Sequence, residues 1–235
     1  MKNKIIPVLV SIILLFAIIL VTISVSEVEV TGNRYYTAEQ AEELVFPTRM
    51  SRNSVACMVS GLMGKKRSIP FVQDYKISFL SPGEVEVIVY EKSIVGYVSY
   101  MSSYMYFDKD GIVVESANRG IPGIPEVTGL RFGSIVLYKP LPVESEKIFS
   151  MILNLTQALS SNEIPVDRIR YDRDLNATLQ IGGLSVQLGS TQEMNGKLTQ
   201  LKNLLPEIRD KHGTVDLSGY DPTVSRPRFS LRETP

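Results

Sequence analysis

The sequence predicts an α+β protein: an N-terminal transmembrane helix, then a β-α-α-β-β domain, then a mixed β-rich domain with two helices. Three observations carry this expectation. Residues 5–25 contain no charge. The next stretch holds a short alternating strand, two helix patterns and a hairpin in about 65 residues. Beyond it, short strands separated by turn residues are interleaved with two amphipathic segments.

The uncharged run is 21 residues long and as a helix would span about 31 Å, the thickness of a bilayer core. Lys2 and Lys4 precede it and Glu27 and Glu29 follow it, so residues 1–4 are expected in the cytoplasm and residues 26–235 outside. Ser24-Val25-Ser26 offers a small-x-small pattern, but the run exceeds the apolar core of a cleaved signal peptide, which favours a retained anchor.

The outer part opens on Glu27-Val28-Glu29-Val30, an alternating strand that reaches a turn at Thr31-Gly32-Asn33. Thr37 and Gln40 form a capping box ahead of Ala38, Ala41, Leu44 and Val45, a stripe that Pro47 ends. Ser51 is placed to cap a second helix carrying Val55, Met58, Val59 and Leu62, ended by Gly64. Strands at 75–80 and 85–90 flank the turn Ser81-Pro82-Gly83. This first domain is expected over residues 26–96.

The second domain is expected over 97–224. It starts with strands at 97–101, 104–107 and 112–115, the last two joined by Asp110-Gly111. A Pro/Gly loop at 120–129 and a short strand around 135–138 precede a helix near 143–161 with Ile148, Ile152, Leu155 and Leu159 on one face. Two strands meet at Gly182-Gly183. Ser190 and Glu193 form a capping box for a helix with Met194, Leu198, Leu201, Leu205 and Ile208 inward, which Pro206 kinks or shortens. Residues 214–217 read as the last strand, and 225–235, with two prolines and three arginines, reads as a disordered tail.

Composition narrows the function. Lys plus Arg and Asp plus Glu are both 25, and beyond the apolar run 23 basic residues face 25 acidic ones, so no field is available to hold nucleic acid. The single cysteine, Cys57, excludes an intramolecular disulfide and reads as a buried thiol beside the second helix's stripe. The single histidine, His212, sits before Gly213 at a helix end, where capping is expected rather than catalysis. Asp108-Lys109-Asp110-Gly111 resembles a calcium loop, but the twelfth position is Arg119 where a bidentate Glu is required. Gly61-Leu62-Met63-Gly64-Lys65-Lys66 lacks both the first glycine and the hydroxyl residue of a phosphate loop. Lys65-Lys66-Arg67 is a basic triplet that could meet acidic lipid or wall polymer. No cofactor, metal, nucleic acid or small-molecule substrate is expected, and no enzyme activity. The competing reading is a membrane-anchored cell-wall-active enzyme using carboxylates, whose close pairs (Asp108/Asp110, Asp172/Asp174, Glu144/Glu146) all fall in turns or on helix surfaces.

Five short motifs, in this order along the chain, carry a resemblance to one family. Val28-Glu29-Val30-Thr31-Gly32-Asn33 is similar to the family's V-x-V-x-G-N opening of a POTRA domain, and Val89-Tyr90-Glu91-Lys92 to the V-x-E-+ motif that closes it. Tyr106-Phe107-Asp108-Lys109-Asp110-Gly111 is similar to a Y-x-D-x-x-G hairpin, and Ile124-Pro125-Glu126-Val127-Thr128-Gly129 to an L-P-x-I-x-G loop. Val215-Asp216-Leu217 is similar to I-D-L-R, with Ser218 in the arginine's place. Together these motifs resemble the FtsQ/DivIB family of bitopic bacterial division proteins, and the resemblance implies a divisome scaffold in the cell membrane, enriched at the septum. It would bind FtsL-like and FtsB/DivIC-like bitopic coiled-coil proteins and help regulate septal peptidoglycan synthesis. A POTRA-type interaction module outside division is the other reading it leaves.

In the family, a partner strand joins the C-terminal strand edge. Here that edge maps to Thr214, Val215, Asp216, Leu217, Ser218, Gly219 and Tyr220. Four to six added backbone hydrogen bonds at about 1 kcal/mol each give only millimolar to roughly 0.1 mM affinity, so a side-chain anchor is required. Tyr220 is the expected anchor, with Val215 or Leu217 packing inward.

Overall fold

The computed structural model describes residues 23–62, 64, 66–118, 120–223 and 230–233, together with the isolated positions 10, 12 and 15. The expected transmembrane helix otherwise lies outside the described residues. Among those described, no helix is long and apolar enough to cross a membrane. Positions 23–25, expected to close the span, are not helical: Ser24 bridges Asn53, and Val25 donates its N–H to Arg52 O at 2.7 Å. The folded chain has therefore taken over by Ile23.

The chain divides into two compact units between Lys92 and Ser93. This is four residues before the expected boundary, because Val95 already belongs to the second core. The first unit runs β1 (Glu27–Thr31), α1 (Ala38–Val45), α2 (Ser54–Leu62), β2 (Val72–Ser81) and β3 (Glu84–Glu91). Its sheet order is β1-β3-β2, with β1 parallel to β3 and β2 antiparallel to it. Central β3 alternates strictly, burying Val85, Val87 and Val89 against Ala41, Val45, Phe46 and Cys57 from the helices. Each such valine contributes about 1.5–3 kcal/mol on burial.

The capping box of α1 forms as read: Thr37 Oγ1 accepts from Gln40 N, and Gln40 Oε1 accepts from Thr37 N. The cap of α2 is not Ser51, whose hydroxyl turns back to Thr48 O at 2.7 Å. Asn53 takes that place, its Oδ1 accepting from Ala56 N at 2.9 Å.

Two motifs of the first unit prove to be halves of one joint. Gly32 has φ +80°, and a Cβ there would lie 2.3 Å from Val89 O, so only glycine lets the chain leave β1 beside β3. Glu91 Oε1 then accepts the N–H groups of Arg34 at 2.6 Å and Tyr35 at 2.8 Å. Glu91→Ala is expected to cost about 1–3 kcal/mol, because two charge-assisted bonds vanish together. Glu91→Gln keeps an acceptor and should lose less; urea denaturation of both variants checks this.

The second unit is a nine-stranded sheet of order β12-β11-β10-β9-β8-β7-β4-β5-β6. Its strands are β4 (Ile94–Tyr100), β5 (Ser103–Asp108), β6 (Val113–Ala117), β7 (Glu126–Thr128), β8 (Arg168–Tyr171), β9 (Ala177–Ile181), β10 (Leu184–Gly189), β11 (Gly213–Asp216) and β12 (Ser230–Glu233). Helix α3 (Glu146–Ser161) lies between β7 and β8 in the chain, and α4 (Met194–Ile208) carries it from β10 to the parallel strand β11. Ile152, Leu155, Leu159, Leu198 and Leu201 from the helices pack with Val98, Phe107, Ile169, Leu179 and Val186 in one core.

Five expectations are corrected here. Helix α3 begins after Ser145, whose hydroxyl accepts from Ile148 N, rather than at 143. No capping box opens α4: Glu193 stands at φ +51° without a side-chain cap, while the Ser190 carbonyl accepts from Lys197 Nζ at 3.0 Å. Residues 135–138 are not a strand; that loop touches the start of β6 through Tyr138 N to Val113 O at 2.7 Å and then Val113 N to Lys139 O at 2.9 Å. The tail expected to be disordered contains β12, antiparallel to β11. Pro206 neither shortens nor ends α4, since it falls in the last turn and Arg209 N still reaches Leu205 O at 2.9 Å.

Candidate partner interface

The end of the second sheet is built by the crossover from β10 through α4 to β11. Gly213 N donates to Gly183 O at 3.2 Å at its start, and Leu217 N to Gln187 O at 2.8 Å at its end. Val215 and Leu217 are fully buried, as expected for inward-packing positions, while Thr214 and Asp216 are half-buried on the opposite face. Asp216 Oδ1 accepts from Ser218 N at 2.9 Å and from Ser218 Oγ at 2.6 Å. The residue that replaces the family's arginine thus closes a tight turn on its own aspartate. Gly219 is exposed at that turn.

Tyr220 is half-buried rather than projecting freely. A Cβ at Gly196 would lie 2.4 Å from its ring, so the tyrosine packs against the first turn of α4. The outer edge of β11 is also occupied. β12 pairs along its whole length, in the register Gly213↔Glu233, Thr214↔Arg232, Val215↔Leu231 and Asp216↔Ser230. Sequence reading missed this strand because its four residues, Ser-Leu-Arg-Glu, are too short to show a period.

The remaining marked residues fall into structural roles. Asp108 Oδ1 accepts the N–H groups of Asp110 and Ile112, both at 2.9 Å, and Gly111 sits at φ +73° against the Phe149 ring, which makes the aspartate motif a hairpin turn. The His212 ring packs over Gly183. Cys57 is buried and its thiol is pushed up by that burial. Among the described residues, no group of three His, Cys, Asp or Glu side chains could hold a metal ion. Within the first unit a groove of about 680 Å³ runs beside the outer strand β2, with Phe46, Met58, Tyr75, Ile77 and Phe79 in its walls.

The loop ahead of β8 also has a clear basis. β7 lies parallel to both β4 and β8, with Glu126 accepting from Ser99 Oγ at 2.6 Å and from Arg168 Nε at 2.9 Å. Gly129, at φ +85°, then lets the chain pass Tyr171, whose carbonyl oxygen would be 1.9 Å from any Cβ.

These features define a class: a two-unit α+β protein in which a β-α-α-β-β unit precedes a mixed sheet ended by the chain's own tail. The chain is similar to the Cell division protein DivIB of Clostridium acetobutylicum, 21% identical over 169 residues, which cover 70% of this chain and 66% of that relative. The match bears out the resemblance to the FtsQ/DivIB family that the motifs carry. It spans just under two thirds of the relative's length. No family model matches the chain.

Proposed function

We propose that the protein is a cell-division scaffold, held in the membrane by its uncharged N-terminal run with both folded units outside the cytoplasm and concentrated at the septum. Its first unit is read as a POTRA domain. The second captures FtsL-like and FtsB/DivIC-like bitopic proteins and so helps regulate septal peptidoglycan synthesis; the scaffold itself catalyses nothing. The observation that supports this reading is the similarity to DivIB over 70% of the chain.

The partner strand is assigned to the sheet end at Thr214–Tyr220, where it exchanges with β12. Four residue pairs hold β12, and at about 1 kcal/mol net per backbone bond a longer strand with one side-chain anchor displaces it. Confinement in a shared membrane raises the partner's effective concentration and favours the exchange. Removal of the paired tail then frees the β11 edge.

A photoreactive residue at Tyr220, with one at Lys109 as control, tests this in dividing cells. Capture of a small bitopic protein at 220 and not at 109 is expected, and deletion of residues 224–235 should increase it. Loss of capture on deletion would show instead that the partner adds to the outer side of β12. No capture at either position, with no gathering at division sites, would sink the scaffold reading.

A further inference from the structure

The first unit is tied to the very end of the uncharged run. Ile23 O accepts from Ser54 N at 3.1 Å and from Asn53 Nδ2 at 3.2 Å, and Val25 N donates to Arg52 O at 2.7 Å. Ser26 N and Glu27 N both donate to Gly83 O, at 2.8 and 3.2 Å, while Ser54 Oγ donates to Pro82 O at 2.6 Å. The α1–α2 loop and the β2–β3 turn are therefore fixed beside the point where residues 5–22 end.

Both segments expose large apolar side chains. Met50 is 83% exposed, Leu80 54% and Phe79 40%. Single exposed apolar residues are ordinary, but three gathered where a chain would leave a bilayer call for a partner. The local charge indicates which. Between residues 44 and 53 the sequence holds Arg49 and Arg52 and neither Asp nor Glu, and residues 77–83 carry no charge. Arg52 is engaged by Glu42 and Lys66 by Asp74, each at 2.6 Å, whereas Arg49 stands exposed next to Met50.

We propose that the loop at 47–51 and residues 79–82 form a lip that rests on an anionic phospholipid surface. Met50 and Leu80 enter the boundary between headgroups and acyl chains, and Arg49 lies among the lipid phosphates. An apolar side chain there sits about 5–10 Å deep, within reach of a loop bonded to residues 23–25. A span of residues 5–22 is about 27 Å long as a helix, so its last turn ends at that depth. The inference rests on the membrane-anchor reading and adds to it a fixed orientation: the 81–83 turn and the end of β2 that leads into it face the bilayer, and the Lys66–Asp74 end of the unit stands away from it.

The test uses the full chain with Cys57→Ala, reconstituted into vesicles of phosphatidylethanolamine and phosphatidylglycerol. An environment-sensitive fluorophore is attached through Met50→Cys, Leu80→Cys or, at the far end, Ser68→Cys. Labels at 50 and 80 are expected to shift to the blue and to be quenched by lipids spin-labelled near the headgroup, and the label at 68 to do neither. Quenching at 50 should weaken with Arg49→Glu, or when phosphatidylcholine replaces both lipids. Labels at 50 and 80 that are as open to iodide as that at 68, in a chain resisting carbonate extraction, overturn the lip and leave the anchor standing. A label shielded from iodide yet untouched by the spin-labelled lipid also overturns it, in favour of a protein cover. A chain that carbonate strips from the vesicles overturns anchor and lip together.

Discussion

Gly129→Ala is expected to destabilise the second unit by about 2–5 kcal/mol, enough to threaten folding of a marginally stable domain. The residue stands at φ +85°, where a side chain costs about 1–2 kcal/mol, and its Cβ would lie 1.9 Å from Tyr171 O, a backbone atom. Relief requires β7 and β8 to move apart, a backbone shift costing about 1–3 kcal/mol more. Glu126, bonded to Ser99 and Arg168, lies on the same three-residue strand and would feel the shift. Urea denaturation of the isolated variant and the parent provides the measurement. A midpoint unchanged by the substitution would show that β7 leaves β8 some other way.

Lys197→Ala is expected to cost about 2–4 kcal/mol. The side chain is 2% exposed, and its ammonium donates to Leu188 O at 2.8 Å and Ser190 O at 3.0 Å, holding the strand end that α4 must follow. Truncation leaves two carbonyls short of a donor at about 1–3 kcal/mol and empties the space of the stem. Lys197→Met fills that space and should recover part of the loss. The pH dependence separates the two contributions. Burial holds the Lys197 ammonium below its usual range, with nearby Glu193 pulling the other way. The depressed folded value means the unfolded chain binds the extra proton, so stability rises as pH climbs from the folded value toward about 10.4. The parent should show this alkaline gain, and neither variant should.

The sequence announced those elements whose signals are local. The Thr37–Gln40 box, the alternation of Val85, Val87 and Val89, and the Gly182-Gly183 turn each declare their element within a few residues, and each is present. What escaped was fixed at long range. β7 has three residues and exists because β4 and β8 flank it. Ser190 looked like a cap, but Lys197, seven residues on, takes its carbonyl. At the candidate interface, the burial of Val215 and Leu217 could be read from the pattern. The seating of Tyr220 on Gly196 could not, because that contact joins a strand end to a helix start more than twenty residues earlier in the chain.

Strand β12 has a consequence for the chain before any partner arrives. A bare sheet end is a template on which a second copy can pair. By lying along Gly213–Asp216, the tail covers the edge of β11 and leaves the short strand β12 as the end of the sheet. Self-pairing through the β11 edge therefore first requires that the four residues of β12 be displaced.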